Sequence, residues 1–193
     1  MPLQPIPDPW KIHDLAEPDY LRLSAFIMNH YGIKLPPNKR VFLQARLLKR
    51  LRHLKYNDFR EYVDFVFSPE GLKTEVTHMI DAVSTNKTEF FREPVHFSYL
   101  NRDMLKEYTE RRRKSWLSVW SAGCSSGEEP YSIAMNLKEV LQSDPFFDFT
   151  IQATDISQSM LELAKTGMYE RDRLAGVPDS LLRKYFTRGT GPF

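Results

Sequence analysis

The sequence predicts an α plus α/β chain, with a small helical domain first and the opening part of a parallel sheet after it. Three observations carry this. Apolar residues recur at helical spacing from Asp14 to about Lys114. The period then shortens into a buried run, Trp116 to Trp120. A glycine-bearing turn, SAGCSSGEEP, separates that run from an amphipathic segment, which is the order strand, turn, helix.

The first helix is expected over Pro18 to Tyr31, with Leu21, Phe26, Ile27 and Met28 apolar and Gly32 as its stop. Proline opens a second helix, Pro37 to Tyr56. Asp58 caps a third that runs to Phe67 and carries Phe59, Tyr62, Val63 and Val66 at helical spacing. A fourth starts near Pro69 and carries Leu72, Val76, Met79, Ile80 and Val83. The polar break STNKTEFFRE follows. Pro94 then opens a long helix ending in the basic run Arg111 to Lys114, which suits a helix C-terminus. Beyond it, Trp116 to Trp120 and Phe149 to Thr154 read as strands, and Pro130 to Leu141 and Ser157 to Lys165 as helices. Alternation of this kind begins a parallel sheet with right-handed crossovers. Tyr169 to Phe186 reads as short helical turns.

Composition excludes some functions and names none. Of the 193 residues 41% are hydrophobic and 27% charged, as in an ordinary globular protein, and the net charge of +2 selects no partner. The opening MPLQPIPDPW lacks the basic start and apolar run of a signal peptide, and no segment approaches the roughly 20 apolar residues of a membrane span. Cys124 is the single cysteine, so there is no internal disulfide and no CxxC metal site. A cytoplasmic protein is expected, with no metal and no membrane insertion.

The turn from Ser121 to Glu129 lies at the carboxyl end of a strand and the start of a helix, where open α/β sheets bind ligands. Gly123 and Gly127 allow close backbone approach. The turn has neither the lysine of a phosphate-binding loop nor the full G-x-G-x-x-G pattern. Glu128 and Glu129 would repel a pyrophosphate but suit an ammonium or a sulfonium, and S-adenosylmethionine carries both. Asp155, 28 positions after Gly127, ends the second strand where an acid accepts ribose hydroxyls. Each residue also has a structural reading. Glu128 and Glu129 favour a helix N-terminus, and Asp155 caps the helix from Ser157. Cys124 reads as a small residue packed in a tight turn.

In STNKTEFFREP, Asn86 and Thr88 offer hydrogen bonds, Phe90 and Phe91 an apolar wall, and Arg92 a planar fork for a carboxylate. An ordinary helix link, with both phenylalanines in the core and Arg92 in a surface pair, fits the same residues. On the second helix, Leu43, Leu47, Leu48, Leu51 and Leu54 are read as one side of the wheel, and Arg46, Lys49, Arg50, Arg52 and His53 as a cationic stripe on the other.

Three segments resemble the CheR-type chemotaxis-receptor methyltransferases. They are STNKTEFFREP from Ser84 to Pro94, VWSAGCSSGEEPYSIAM from Val119 to Met135, and ATDIS from Ala153 followed by LELAKTGMY ending at Tyr169. The resemblance implies a Rossmann-like class I methyltransferase sheet with S-adenosylmethionine as cofactor. It also implies O-methylation of protein glutamates on chemotaxis receptors, with cofactor contacts from Asn86, Thr88, Arg92, Glu129 and Asp155 and with Arg92 near the reaction centre. The helical domain would cover the site and dock on acidic coiled-coil receptor helices through Arg46, Lys49, Arg50 and Arg52. The division implied is a Pro-rich tail at 1–12, a docking domain at 13–82, a cofactor-site linker at 83–98 and an incomplete methyltransferase domain at 99–193. The family's β subdomain, Asn-Leu pair and Arg-Asn segment leading into Ile-Tyr-Phe have no counterpart here. A complete domain would be a monomer. Two alternatives stand beside this reading: a truncated, non-catalytic receptor-binding module, and a nucleic-acid-binding helical domain, against which the basic residues lack interleaved aromatics.

Overall fold

The computed structural model describes residues 14–100, 102–112, 116–142 and 148–189. The Pro-rich tail and the end of the basic run, Arg113 and Lys114, lie outside them. The chain divides into two compact units between Thr85 and Asn86.

The first unit is all helix. Helix α1 spans Glu17–Tyr31 and stops at Gly32, whose φ of 71° is left-handed. A 3₁₀ turn, Pro37–Lys39, leads into α2, Arg40–Leu54. Asp58 caps α3, Phe59–Val66, by accepting from the Arg60 amide at 2.7 Å. The fourth expected helix is two pieces, α4 at Gly71–Thr74 and α5 at Val76–Val83. Gly71 fits because a Cβ there would lie 1.9 Å from the Phe65 carbonyl oxygen. Leu23, Ile27, Leu43, Leu47, Phe59 and Met79 are fully buried in one core that draws on α1, α2, α3 and α5.

Glu75, between α4 and α5, turns into this core. Its carboxylate accepts from Arg50 Nε at 2.9 Å, Arg50 Nη2 at 2.6 Å and Tyr62 Oη at 3.0 Å. This corrects the reading of Arg50 as part of an outward stripe. Arg50 follows Leu43 by seven positions and Leu47 by three, which puts it on the leucine side of α2. Arg46, Lys49, Arg52 and His53 are exposed, as expected. Arg46 also lies 5.0 Å from the centroid of the Phe42 ring.

The second unit holds the sheet. The long helix expected from Pro94 is α6, Pro94–Tyr99, and α7, Arg102–Arg112. The break falls at Leu100, whose carbonyl accepts from Asn136 Nδ2 at 2.9 Å. Strand β1, Trp116–Ala122, pairs in parallel with β2, Asp148–Thr154, in the register Leu117 to Phe149 and Val119 to Ile151. Helix α8, Glu128–Val140, makes the crossover, and α9, Gln158–Thr166, follows β2. A 3₁₀ turn at Arg171–Leu174 and α10 at Asp179–Tyr185 complete the described residues. Leu117 on one sheet face packs with Leu105 of α7 and Leu137 of α8. Trp116, Ser118 and Trp120 on the other face are exposed. Among the described residues no helix is long and apolar enough to cross a membrane.

Removing one partner of a buried ion pair strands the other charge. Arg50→Ala is therefore expected to lower the stability of the first unit by about 3–5 kcal/mol in urea unfolding. Tyr62→Phe should cost less, about 1–3 kcal/mol, and should also flatten the alkaline limb. Burial, with the Glu75 charge beside it, pushes the Tyr62 phenol well above its ordinary value. Unfolding thus releases its proton once pH passes about 10, and stability falls as pH rises further. A titration of stability between neutral and alkaline pH that is identical in parent and Tyr62→Phe would refute this.

Candidate functional site

The turn after β1 is tied to the end of β2 by its backbone. Gly123 and Cys124 both donate to the Thr154 carbonyl, at 2.8 and 2.9 Å. Asp155 then accepts from the Ser125 amide through Oδ2 at 2.7 Å and from the Ser157 amide through Oδ1 at 2.8 Å. Ser157 is itself the N-cap of α9, accepting from the Met160 amide. Gly123 and Gly127 have φ of +86° and +97°, where glycine is favoured. A Cβ on Gly123 would meet nothing within 4 Å, so the backbone there borders open space.

The two adjacent glutamates of α8 face different environments. Glu128 is fully buried, accepts from Ser126 Oγ at 2.8 Å and pairs with Arg173. The reading of both carboxylates as ligand-facing is corrected: Glu129 alone lines the cleft. Ser121 at the end of β1 donates to Glu129 Oε1 at 2.6 Å.

Residues 86–93 form the opposite wall. The Asn86 carbonyl accepts from Ser125 Oγ at 3.1 Å, and the Phe91 amide donates to Ser132 Oγ of α8 at 2.9 Å. Phe90 is buried with Met135 and Val177. Phe91, Glu93 and Ser125 hold φ of 54°, 56° and 48°, each non-glycine residue in a left-handed conformation of the kind that gathers at functional sites. The resulting cleft is lined by Lys87, Thr88, Glu89, Arg92, Phe97, Gly123 and Glu129. Arg92 is exposed and donates to the Lys87 carbonyl at 2.9 Å.

Thr88, Arg92 and Glu129, singled out in the sequence, thus share one cleft. Asn86 and Asp155 stand behind it and engage the turn instead, Asn86 through its carbonyl and Asp155 through both carboxylate oxygens. Cys124 is buried, and burial together with the Asp155 charge raises its thiol pKa, which disfavours the thiolate form. Lys87, Phe97, Ser121 and Arg173 were missed. Period-2 alternation could have found Ser121, since it shares a face with Leu117 and Val119. Nothing local marks Arg173, which lies 45 positions from Glu128.

Parallel strands joined by a helix, with a glycine turn opening on a cation and a carboxylate at their carboxyl ends, define a ligand-binding α/β domain of the Rossmann-like class. Comparison with known proteins is more specific. Residues 86–193 match the family described as CheR methyltransferase, SAM binding domain, and residues 18–84 match CheR methyltransferase, all-alpha domain. The chain belongs to the CheR methyltransferase family. It is 38% identical over 179 residues to a chemotaxis protein methyltransferase of Borreliella burgdorferi, covering 91% of this chain and 63% of the relative. It is 38% identical over 178 residues to that of Escherichia coli, covering 92% and 59%. It is 41% identical over 175 residues to chemotaxis protein methyltransferase 2 of Pseudomonas aeruginosa, covering 90% and 60%. The chain thus spans about three-fifths of the length of these relatives.

S-adenosylmethionine is the cofactor of this domain family, and the cleft suits its amino-acid end. Glu129 offers a carboxylate to an ammonium, Arg92 a guanidinium to a carboxylate, and Gly123 leaves room for a close approach. The cleft encloses about 80 Å³, well under the roughly 300–1,000 Å³ of a typical ligand pocket, so it matches one end of such a ligand rather than the whole.

The two glycines are expected to behave differently. Gly123→Ala should cost about 1–2 kcal/mol for a left-handed L residue. Gly127→Ala should cost clearly more, because its Cβ would also stand 2.7 Å from Tyr169 Oη and 3.1 Å from the Ala164 Cα. Urea unfolding of both variants checks the order.

Proposed function

We propose that the chain takes part in S-adenosylmethionine-dependent methylation of glutamate side chains on chemotaxis receptors. The observation that supports this most is the convergence of Thr88, Arg92, Gly123 and Glu129 on one cleft inside the family-matched region. The relatives' names point to chemotaxis and methyl transfer.

A glutamate with pKa about 4.3 is ionised at neutral pH, so no general base would be needed for its oxygen to take a methyl group as the methyl–sulfur bond breaks. When bound, S-adenosylmethionine supplies an electrophilic methyl group. Arg92 and Glu129 anchor the amino-acid end, with Ser121 holding the Glu129 carboxylate in place. Asp155 keeps the turn against β2 through two backbone amides and remains a candidate partner for ribose hydroxyls through its second lone pairs. Thr88 lines the same wall as Arg92, and Asn86 fixes that wall to Ser125.

A second reading is favoured by the cationic stripe of Arg46, Lys49 and Arg52, which belongs to the first unit and does not involve the cleft. On this reading the chain binds receptor helices without transferring a methyl group.

Two measurements test these readings. Calorimetry with S-adenosylmethionine should show binding by the parent chain and at least a tenfold loss in Arg92→Ala. Near-parental affinity in that variant would remove Arg92 from the site. Binding to an acidic chemoreceptor coiled-coil fragment should weaken with salt and fall at least tenfold when Arg46, Lys49 and Arg52 are all changed to Glu. Binding of that fragment with no methyl ester formed in the presence of S-adenosylmethionine would select the second reading.

A further inference from the structure

We propose that Arg173 is a positioning residue for the cofactor cleft, acting through Glu128 and Ser126 rather than by touching the ligand. The proposal rests on the reading of this cleft as the S-adenosylmethionine site.

Arg173 lies in the 3₁₀ turn Arg171–Leu174, beyond α9. Its guanidinium pairs with the Glu128 carboxylate and donates to Ser126 Oγ at 2.8 Å. Ser126 Oγ in turn donates to Glu128 at 2.8 Å, so the three side chains close a ring. Glu128 has no exposure, whereas the Arg173 side chain keeps 40% of its own. The cation thus reaches in from the surface to neutralise a carboxylate held in the first turn of α8. Among the described residues, its loss would leave Glu128 with the helix N-terminus and one hydroxyl as favourable partners, too little for a buried charge. The cheapest relief would be for the helix start to swing toward water, carrying Gly127 and Glu129 with it.

The same segment also grips the other wall. Tyr169 Oη donates to the Ser126 carbonyl at 2.7 Å, and its ring meets Phe90 edge-on at 4.9 Å. Gly176 passes so close that a Cβ would lie 2.7 Å from the Phe90 carbonyl oxygen, and Val177 is buried beside Phe90. Residues 169–177 therefore touch the glycine turn through Tyr169 and Arg173, and the 86–93 wall through Tyr169, Gly176 and Val177. They set the spacing between Arg92 and Glu129 without lining the cleft themselves. Arg173 is the one charged member of this contact, and so the one whose removal unbalances the turn.

The test uses the full chain and three variants: Arg173→Ala, Arg173→Lys, and the paired change Arg173→Met with Glu128→Met, which removes both charges while keeping apolar volume. Amide hydrogen exchange reads the turn directly, since the Ser125 and Gly127 amides donate to Asp155 and to the Cys124 carbonyl. In Arg173→Ala these two amides are expected to exchange at least tenfold faster, while those of Val119 and Ser121 in β1 keep their parental rates. Calorimetry should show S-adenosylmethionine affinity down at least tenfold in Arg173→Ala and partly recovered in Arg173→Lys. The paired variant strands no charge, so it should melt within a few degrees of the parent and recover affinity and turn exchange toward the parental values. Unchanged exchange at the turn or parental affinity in Arg173→Ala, or a paired variant that binds as weakly as Arg173→Ala, would overturn the proposal. If the parent chain itself binds no S-adenosylmethionine, the cofactor reading fails on its own, and exchange at Ser125 and Gly127 alone decides the role of Arg173.

Discussion

The Asp155 carboxylate is the joint on which the second unit turns. A parallel pair of strands leaves two chain exits side by side, and each exit must satisfy backbone amides before its helix begins. Here one carboxylate serves both exits, taking the Ser125 amide from the first crossover and the Ser157 amide from the second. With Thr154 accepting from Gly123 and Cys124, the glycine turn is held against the end of β2 through Gly123, Cys124 and Ser125 and has little freedom to flatten. Ser125 accepts a left-handed conformation as the consequence. A role for Asp155 in holding the turn and a role in contacting a ribose are compatible, because each carboxylate oxygen has more than one lone pair.

That joint explains how two neighbouring glutamates come to do different things. Successive residues on a helix point about 100° apart, so the first turn of α8 cannot send both carboxylates the same way. Glu128 goes inward, where Arg173 and Ser126 meet it, and Glu129 goes to the cleft, where Ser121 restrains it. The wall opposite is held by apolar contacts and backbone bonds: Phe90 in its cluster, and the Phe91 amide on Ser132. Its charged residues are left exposed, and among the described residues Arg92 donates to a carbonyl of its own loop, Lys87. An apolar footing thus carries an exposed charged tip.

Local patterns made much of this legible in the sequence. Gly32 and Asp58 announce helix ends because their chemistry acts within a few residues, and the change from helical spacing to a strand at Trp116 needs only a short window. The glycine turn and the acid after β2 were legible for the same reason. What failed was whatever depended on a distant partner. Arg50 sits among leucines by its own spacing, yet a guanidinium on an apolar face makes sense only once Glu75, 25 positions away, is known to arrive there. Glu128 reads as a twin of Glu129 until Arg173 is brought to it by the fold. The helix expected from Pro94 is interrupted after Tyr99, and the Leu100 carbonyl there accepts from Asn136, again a contact between elements. Charge placement, unlike helix placement, is a tertiary property.

The same distinction separates the two surfaces that bear on function. Each unit has its own core, one built from Leu23, Leu43 and Phe59 and the other from Leu105, Leu117 and Leu137. Arg46, Lys49 and Arg52 project from the first core into water, so their charge acts at long range and is open to screening by salt. Arg92 and Glu129 act over hydrogen-bonding distances in a recess whose backbone is locked by Asp155. Substitutions in the stripe should therefore leave the recess intact, and substitutions in the recess should leave the stripe exposed. Among the described residues, the contacts that hold the glycine turn come from the second unit and those under the stripe from the first, so a substitution in one leaves the other's supports in place.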